Sequence, residues 1–269
     1  MPRSVHQRQR ALSIGTSFDY DLPLGAQLPL AAAVGFTHVS LGGRATHADY
    51  FSQGGRDRLR ALLDAHELRL DTIHGPTPDH PAGVAALVAT VEAAAELGVP
   101  VVVAHGGPFD FPARELPTRL DALLHVCEAL CPTLARTGVM LALENVLPGP
   151  ATDLIRQAVP RLDDRYFGFC YDSAHDQIGG PRPFTLLEEL RQRVVAVHLS
   201  DRIREFVDHV PPGEGFIDWP TLCRALRATP FVGPLLLEVV VTHAAEKEPR
   251  RFLAQAYAAG CHLHDQIYG

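Results

Sequence analysis

The feature that most constrains this chain is an alternation running its whole length, in which short β-branched runs take turns with longer stretches rich in alanine and leucine. That is the mark of βα units: each helical crossover returns the chain to the end of the sheet it left, so successive strands pair in parallel. Eight units can be placed, with strands expected over 11–17, 37–41, 69–73, 99–104, 139–144, 167–171, 194–199 and 234–239. Between them, segments 81–97, 116–137 and 246–264 carry apolar residues at three- and four-residue intervals, as helices covering a sheet do. Gly98 and Gly138 stop the first two.

Eight strands, each followed by a helix or loop, predict a closed α/β barrel, a single-domain (β/α)8 TIM barrel. That fold typically takes about 250 residues, and the chain has 269. The expected organisation is a flexible tail over 1–10 and a barrel over 11–269. A doubly wound open sheet fits the alternation less well. No Gly-x-Gly-x-x-Gly follows the first strand, where a dinucleotide site would need it.

Composition narrows the function classes. A net charge of −7 supplies no basic field of the kind that drives non-specific nucleic-acid binding, so no nucleic-acid partner is expected. The basic first ten residues lead into no apolar h-region, and no run of about 18 apolar residues occurs, so a cytoplasmic protein with no membrane partner is expected. The five cysteines are scattered without a Cys-x-x-Cys pair, which argues against a disulfide framework or zinc ribbon. The only lysine, Lys247, reads as part of an exposed first helical turn before Pro249, which removes Schiff-base and P-loop chemistry.

In a parallel barrel the site lies at the carboxyl ends of the strands, so the polar residue that closes each apolar run points toward one shared mouth. Here those residues are His74, His105, Glu144 with Asn145, Asp172 with His175, His198 followed by Asp201, and Glu238. Any one of them alone could be a hydrogen-bonded rim residue, and Glu144 could pair with an arginine; the set falling in phase with the strand ends points to more. Like charges gathered at one rim repel and each is costly to desolvate, a cost that a divalent cation removes. Two glutamates, an aspartate and a histidine make a hard, oxygen-rich set suited to Mn²⁺ or Zn²⁺, with Mg²⁺ or Co²⁺ also accommodated. The segment 201–219, with Pro211, Pro212, Gly213 and Gly215, is the longest without periodicity, and its place after a histidine-bearing strand suggests a functional loop.

With these residues in view, the chain resembles the xylose-isomerase-like barrel superfamily, which joins sugar-phosphate isomerases and epimerases with endonuclease IV. The matching pieces are Leu-Glu-Asn at 143–145, Tyr-Asp-Ser-Ala-His at 171–175, Val-His-Leu-Ser-Asp at 197–201, His209 with Pro-Pro-Gly-Glu-Gly at 211–215, Ile-Asp-Trp at 217–219 and Leu-Leu-Glu at 236–238. The resemblance implies one metal held by Glu144, Asp172, His198 and Glu238. It implies acid/base work by Glu144 and Glu238, and substrate contacts from His175 and Arg204. The expected partner is a small carbohydrate-like substrate, with a homo-oligomer compatible.

The rival reading is endonuclease-IV-like phosphodiester cleavage on a cluster of three zinc ions, for which His74, His105, His175 and His209 fall where the additional ligands occur. That branch also needs an aspartate where this chain has Val207. A metal-binding barrel recruited as a sensor or scaffold is the third reading. The substrate is left open, because loop side chains set it; Phe109, Phe111, Phe206, Phe216 and Trp219 are candidate apolar walls.

Overall fold

The structure, a computed structural model, describes residues 11–204 and 208–269; the expected tail over 1–10, Phe206 and Val207 lie outside the described residues. Eight parallel strands close in sequence order: β1 Leu12–Gly15, β2 His38–Leu41, β3 Arg69–His74, β4 Val101–His105, β5 Met140–Glu144, β6 Phe167–Asp172, β7 Val194–Leu199 and β8 Leu235–Leu237. Strand β8 pairs back onto β1, so the barrel is closed and the open-sheet alternative is excluded.

Around it run α1 Leu24–Val34, α2 Ala45–Ala48, α3 Gln53–Ala65, α4 Pro81–Leu97, α5 Leu116–Thr137, α6 Pro150–Ala158, α7 Ser173–Asp176, α8 Thr185–Leu190, α9 Trp219–Arg227 and α10 Pro249–Tyr268. None of the described helices is long and apolar enough to cross a membrane.

Alternation along the strands splits the core in two. Inside the barrel, where eight walls converge, the cluster is small: Val103, Ala142, Cys170 and Ala196, with Val101 and Val195 against it. Gly168 is needed there, because a Cβ at that position would run into the Val195 side chain. The larger side chains, such as Phe167, Phe169, Leu141 and Leu143, belong to the main cluster, which also takes in Leu87, Val91 and Leu123 of the helices. Burying each of them contributes about 1.5–3 kcal/mol.

Three expected boundaries shift for local reasons. Strand β1 stops at Gly15 because residues 16–18 tighten into a 3-10 turn. Strand β8 is confined to three residues. Helix α10 starts at Pro249, since the Glu248 carboxylate accepts from the Arg250 and Arg251 backbone N–H groups at 3.1 and 2.9 Å and caps it. Lys247 therefore precedes the helix, and its Nζ donates to the Thr242 and Val241 carbonyls at 2.6 and 3.3 Å.

Candidate metal centre

Strand register brings the chemistry together. Glu144 at the end of β5 lies opposite His105 of β4, and Asp172 at the end of β6 lies opposite His198 of β7. Glu238 follows β8, whose Leu237 pairs with Leu199. One ligand atom from each of Glu144, Asp172, His198 and Glu238 lies within 4.8 Å of the others. Metal bonds of about 2.0–2.2 Å limit opposed ligands to about 4.4 Å apart, so small side-chain adjustments bring these four atoms onto one ion.

Two observations say that the group fits a cation. Asp172 Oδ2 and His198 Nε2 are buried polar atoms without a hydrogen-bond partner among the described residues. His198 Nδ1 sits 3.0 Å from Glu144 Oε1 and 3.1 Å from Glu238 Oε2, bringing two carboxylates onto one nitrogen. Three carboxylates converging on one imidazole form a donor set with surplus negative charge.

Glu144 uses both oxygens. Its Oε2 lies 3.0 Å from His74 Nε2 and 3.3 Å from His105 Nε2, on the opposite side from Oε1. His74, His105 and Glu144 thus form a second compact donor group, and Asp172, His175 and His209 a third. Burial alone would raise the Glu144 carboxyl, but His198 and the surrounding imidazoles hold it well below the ordinary range. Glu238 is likewise held low against burial, chiefly by His198. Burial foremost pushes Asp172 up to about 7, with Glu144 and Glu238 adding to it. His175 rises to about 9 despite burial, because Asp172 and Glu144 favour its cation. Burial and the neighbouring His175 take His209 down to about 4.

The supports are ordinary backbone economics. Asn145 clamps Asp172 from both sides, its Nδ2 donating to the Asp172 carbonyl and its Oδ1 accepting from the Asp172 N–H, each at 2.9 Å. Asp172 Oδ1 in turn accepts from the His175 N–H at 2.6 Å, which caps the short α7 and aims the His175 ring at Glu144. His209 is held by Ser200, whose Oγ lies 2.9 Å from its Nδ1, and its φ of 44° is a left-handed conformation unusual for a residue other than glycine. The half-exposed Phe109 packs edge-on against His105 and His175, with ring centroids 4.8 and 6.0 Å away.

A family model described as xylose isomerase-like TIM barrel matches residues 28–256. The chain belongs to that family. Among curated relatives, an uncharacterized protein of Sinorhizobium fredii, y4fM, is 22% identical over 283 residues, covering 92% of this chain and 91% of its own. Among solved structures, a D-tagatose 3-epimerase-like protein superposes with a TM-score of 0.77 at 18% identity, covering 96% of this chain and all of that one (100%). The IolI protein with a binding zinc atom gives a TM-score of 0.77 at 18% identity, covering 96% of this chain and 99% of its own. These likenesses show the fold.

Of the residues singled out in the sequence, Glu144, Asp172, His198, Glu238, His74, His105, His175 and His209 meet at the mouth. Two others lie elsewhere. The Arg204 side chain is 70% exposed and pairs with Asp208 at 3.4 Å, because the Ile203 and Arg204 N–H groups both donate to Asp208 and close a turn. Asp201, expected to point into the mouth, faces the opposite way: its carboxylate accepts from Gly213 N at 2.9 Å, Ile217 N at 3.0 Å and Trp219 Nε1 at 2.7 Å, which makes it the clamp of the 211–219 loop. Arg202 was not anticipated. Its place two and four residues after Ser200 and His198 was the available signal, since every second residue of an extended segment shares a face.

Proposed function

We propose that the protein is a divalent-metal-dependent isomerase or epimerase of a sugar, sugar phosphate, polyol or keto acid, with Mn²⁺ or Zn²⁺ the preferred ion and Mg²⁺ or Co²⁺ tolerated. The observation that carries the reading is the convergence of the buried Glu144, Asp172 and His198 with the partly exposed Glu238, where Asp172 Oδ2 and His198 Nε2 have no hydrogen-bond partner among the described residues. A bound divalent ion would polarise a carbonyl and its neighbouring hydroxyl, lowering the barrier to removal of the intervening C–H proton.

The chain supplies the rest. Glu144 and Glu238 stand three strands apart, on β5 and after β8, and both are held in the carboxylate form that accepts a proton. Glu144 is fully enclosed by imidazoles, whereas Glu238 is 18% exposed and is the more open of the two. Proton return to the neighbouring carbon isomerises the substrate; return to the opposite face epimerises it. In this reading His175 would hold substrate oxygens, and Arg204 would do so only after leaving its ion pair with Asp208. The aromatic edge of Phe109 narrows the mouth above His105 and His175.

A second reading has its own observation. Glu144 faces different partners with its two oxygens, as a bridging carboxylate does, and His74 with His105 would complete a neighbouring metal site of the kind used in phosphodiester hydrolysis. Metal content separates the two: protein purified without chelator should carry close to one equivalent, and two or three fully occupied ions would favour the hydrolase. Metal-loaded protein should also incorporate solvent deuterium next to the carbonyl of at least one ketose, aldose or keto acid in a panel. No exchange in any of them, together with a metal-dependent nick at an abasic site, would replace the isomerase reading.

A further inference from the structure

Arg202 is the largest fully buried side chain among the described residues, 0% exposed. Its Nη2 donates to the Arg204 carbonyl at 3.0 Å, but Nε and Nη1 have no hydrogen-bond partner among the described residues. The nearby carboxylate of Asp208 does not satisfy them, being engaged with the Ile203 N–H at 2.9 Å, the Arg204 N–H and the Arg204 guanidinium. A guanidinium stays charged, so two buried and unmade donors are a standing cost unless a ligand meets them.

Chain parity gives the direction. The Asp201–Val210 antiparallel bridge keeps the segment extended beyond β7, and Asp201 turns its carboxylate outward to the 211–219 loop. His198, Ser200 and Arg202 therefore share the other face, on which His198 meets the carboxylates and Ser200 holds the His209 ring. Arg202 is close enough to Asp172, Asp208 and His209 for charge to act between them. The His209 ring stands edge-on to His175 at 5.1 Å, held there by its left-handed backbone. Arg202, His175 and His209 thus form one donor-bearing wall beside the four-residue centre.

We infer that Arg202, with His175 and His209, forms a subsite for an oxyanion of the substrate, so that the substrate is a sugar acid or sugar phosphate and not a neutral sugar. A single hydroxyl could accept from one of the two donors but would leave the other unmade; a carboxylate or phosphate oxygen pair meets both with charge-assisted bonds. The inference deepens the isomerase or epimerase reading by naming the substrate class, and it rests on that reading only for the chemistry that follows binding.

The test is calorimetric titration of Mn²⁺-loaded protein with inorganic phosphate, erythronate and erythritol, the last two differing only in the carboxylate. At least one anion should bind tenfold or more tightly than erythritol, and which of the two does so separates phosphate from carboxylate. Arg202→Met should remove that preference while metal stoichiometry and circular dichroism stay unchanged and erythritol affinity moves by less than about twofold. Arg202→Lys, which keeps the charge and loses the planar fork, should fall between and serves if the methionine variant does not fold. Equal binding of erythronate, phosphate and erythritol, or anion affinity unaltered in either folded variant, would overturn the inference. Failure of the isomerase reading looks different: no solvent-hydrogen exchange into any ketose, aldose, sugar phosphate, sugar acid or keto acid, with the Arg202-dependent anion titration intact.

Discussion

Replacing Asp201 should destabilise the protein strongly without emptying its metal centre. The buried carboxylate gathers three donors from beyond the loop, Gly213 N, Ile217 N and Trp219 Nε1, at 2.9, 3.0 and 2.7 Å, and also accepts from the Arg202 N–H at 2.8 Å. Asp201→Ala leaves the three cross-loop donors unpaired; at roughly 1.5 kcal/mol each the cost is about 4–5 kcal/mol, within the ~1–3 kcal/mol expected for each orphaned buried group. For a domain of this size each kcal/mol is worth roughly 2–4 °C, so the midpoint of thermal unfolding should fall by about 10–15 °C. Asp201→Asn keeps one acceptor oxygen and turns an NH₂ toward the other donors, and should lose about half as much. Circular dichroism melting at fixed metal concentration reads the effect, and elemental analysis at low temperature should show unchanged metal, because the four ligands sit on or beside the strands. A drop of less than about 3 °C in the alanine variant would refute the clamp, since orphaned buried donors cannot be that cheap.

Glu144→Gln and Glu238→Gln should each lower turnover by at least about a hundredfold, the lower end for loss of a positioned acid or base, with circular dichroism unchanged; comparable activity in either variant removes that glutamate from the proton-transfer role. Exhaustive chelation should lower the unfolding midpoint by roughly 5–10 °C: an ion present at 100 times its Kd contributes about 2.7 kcal/mol, at roughly 2–4 °C per kcal/mol. An unchanged midpoint in protein shown to have lost its metal would mean that the centre is not coupled to folding. At a net charge of −7, binding to abasic duplex DNA at physiological salt should be undetectable by gel shift below micromolar protein, and a tight, salt-sensitive complex would contradict the charge argument.

The division between what the sequence determined and what tertiary structure decided follows the range of the forces involved. Strand and helix identity are written in local periodicity, and the left-handed stops at Gly98 and Gly138 are local too, so eight βα units and their order were legible from the residues alone. The rim set was legible for the same reason: the residue closing a barrel strand faces the mouth whatever the loop beyond it does, which places His74, His105, Glu144 and Asp172. Past the strand end that guarantee lapses. Whether Asp201 points inward or outward depends on its pairing with Val210 and on the distant Trp219 indole. The burial of Arg202 and the exposure of Arg204, two residues apart, depend on how Asp208 folds the turn between them. Likewise, the sequence could name Glu144 as a ligand, but only barrel closure and strand register, set by pairing across the whole sheet, turn one of its oxygens to His198 and the other to His74 and His105.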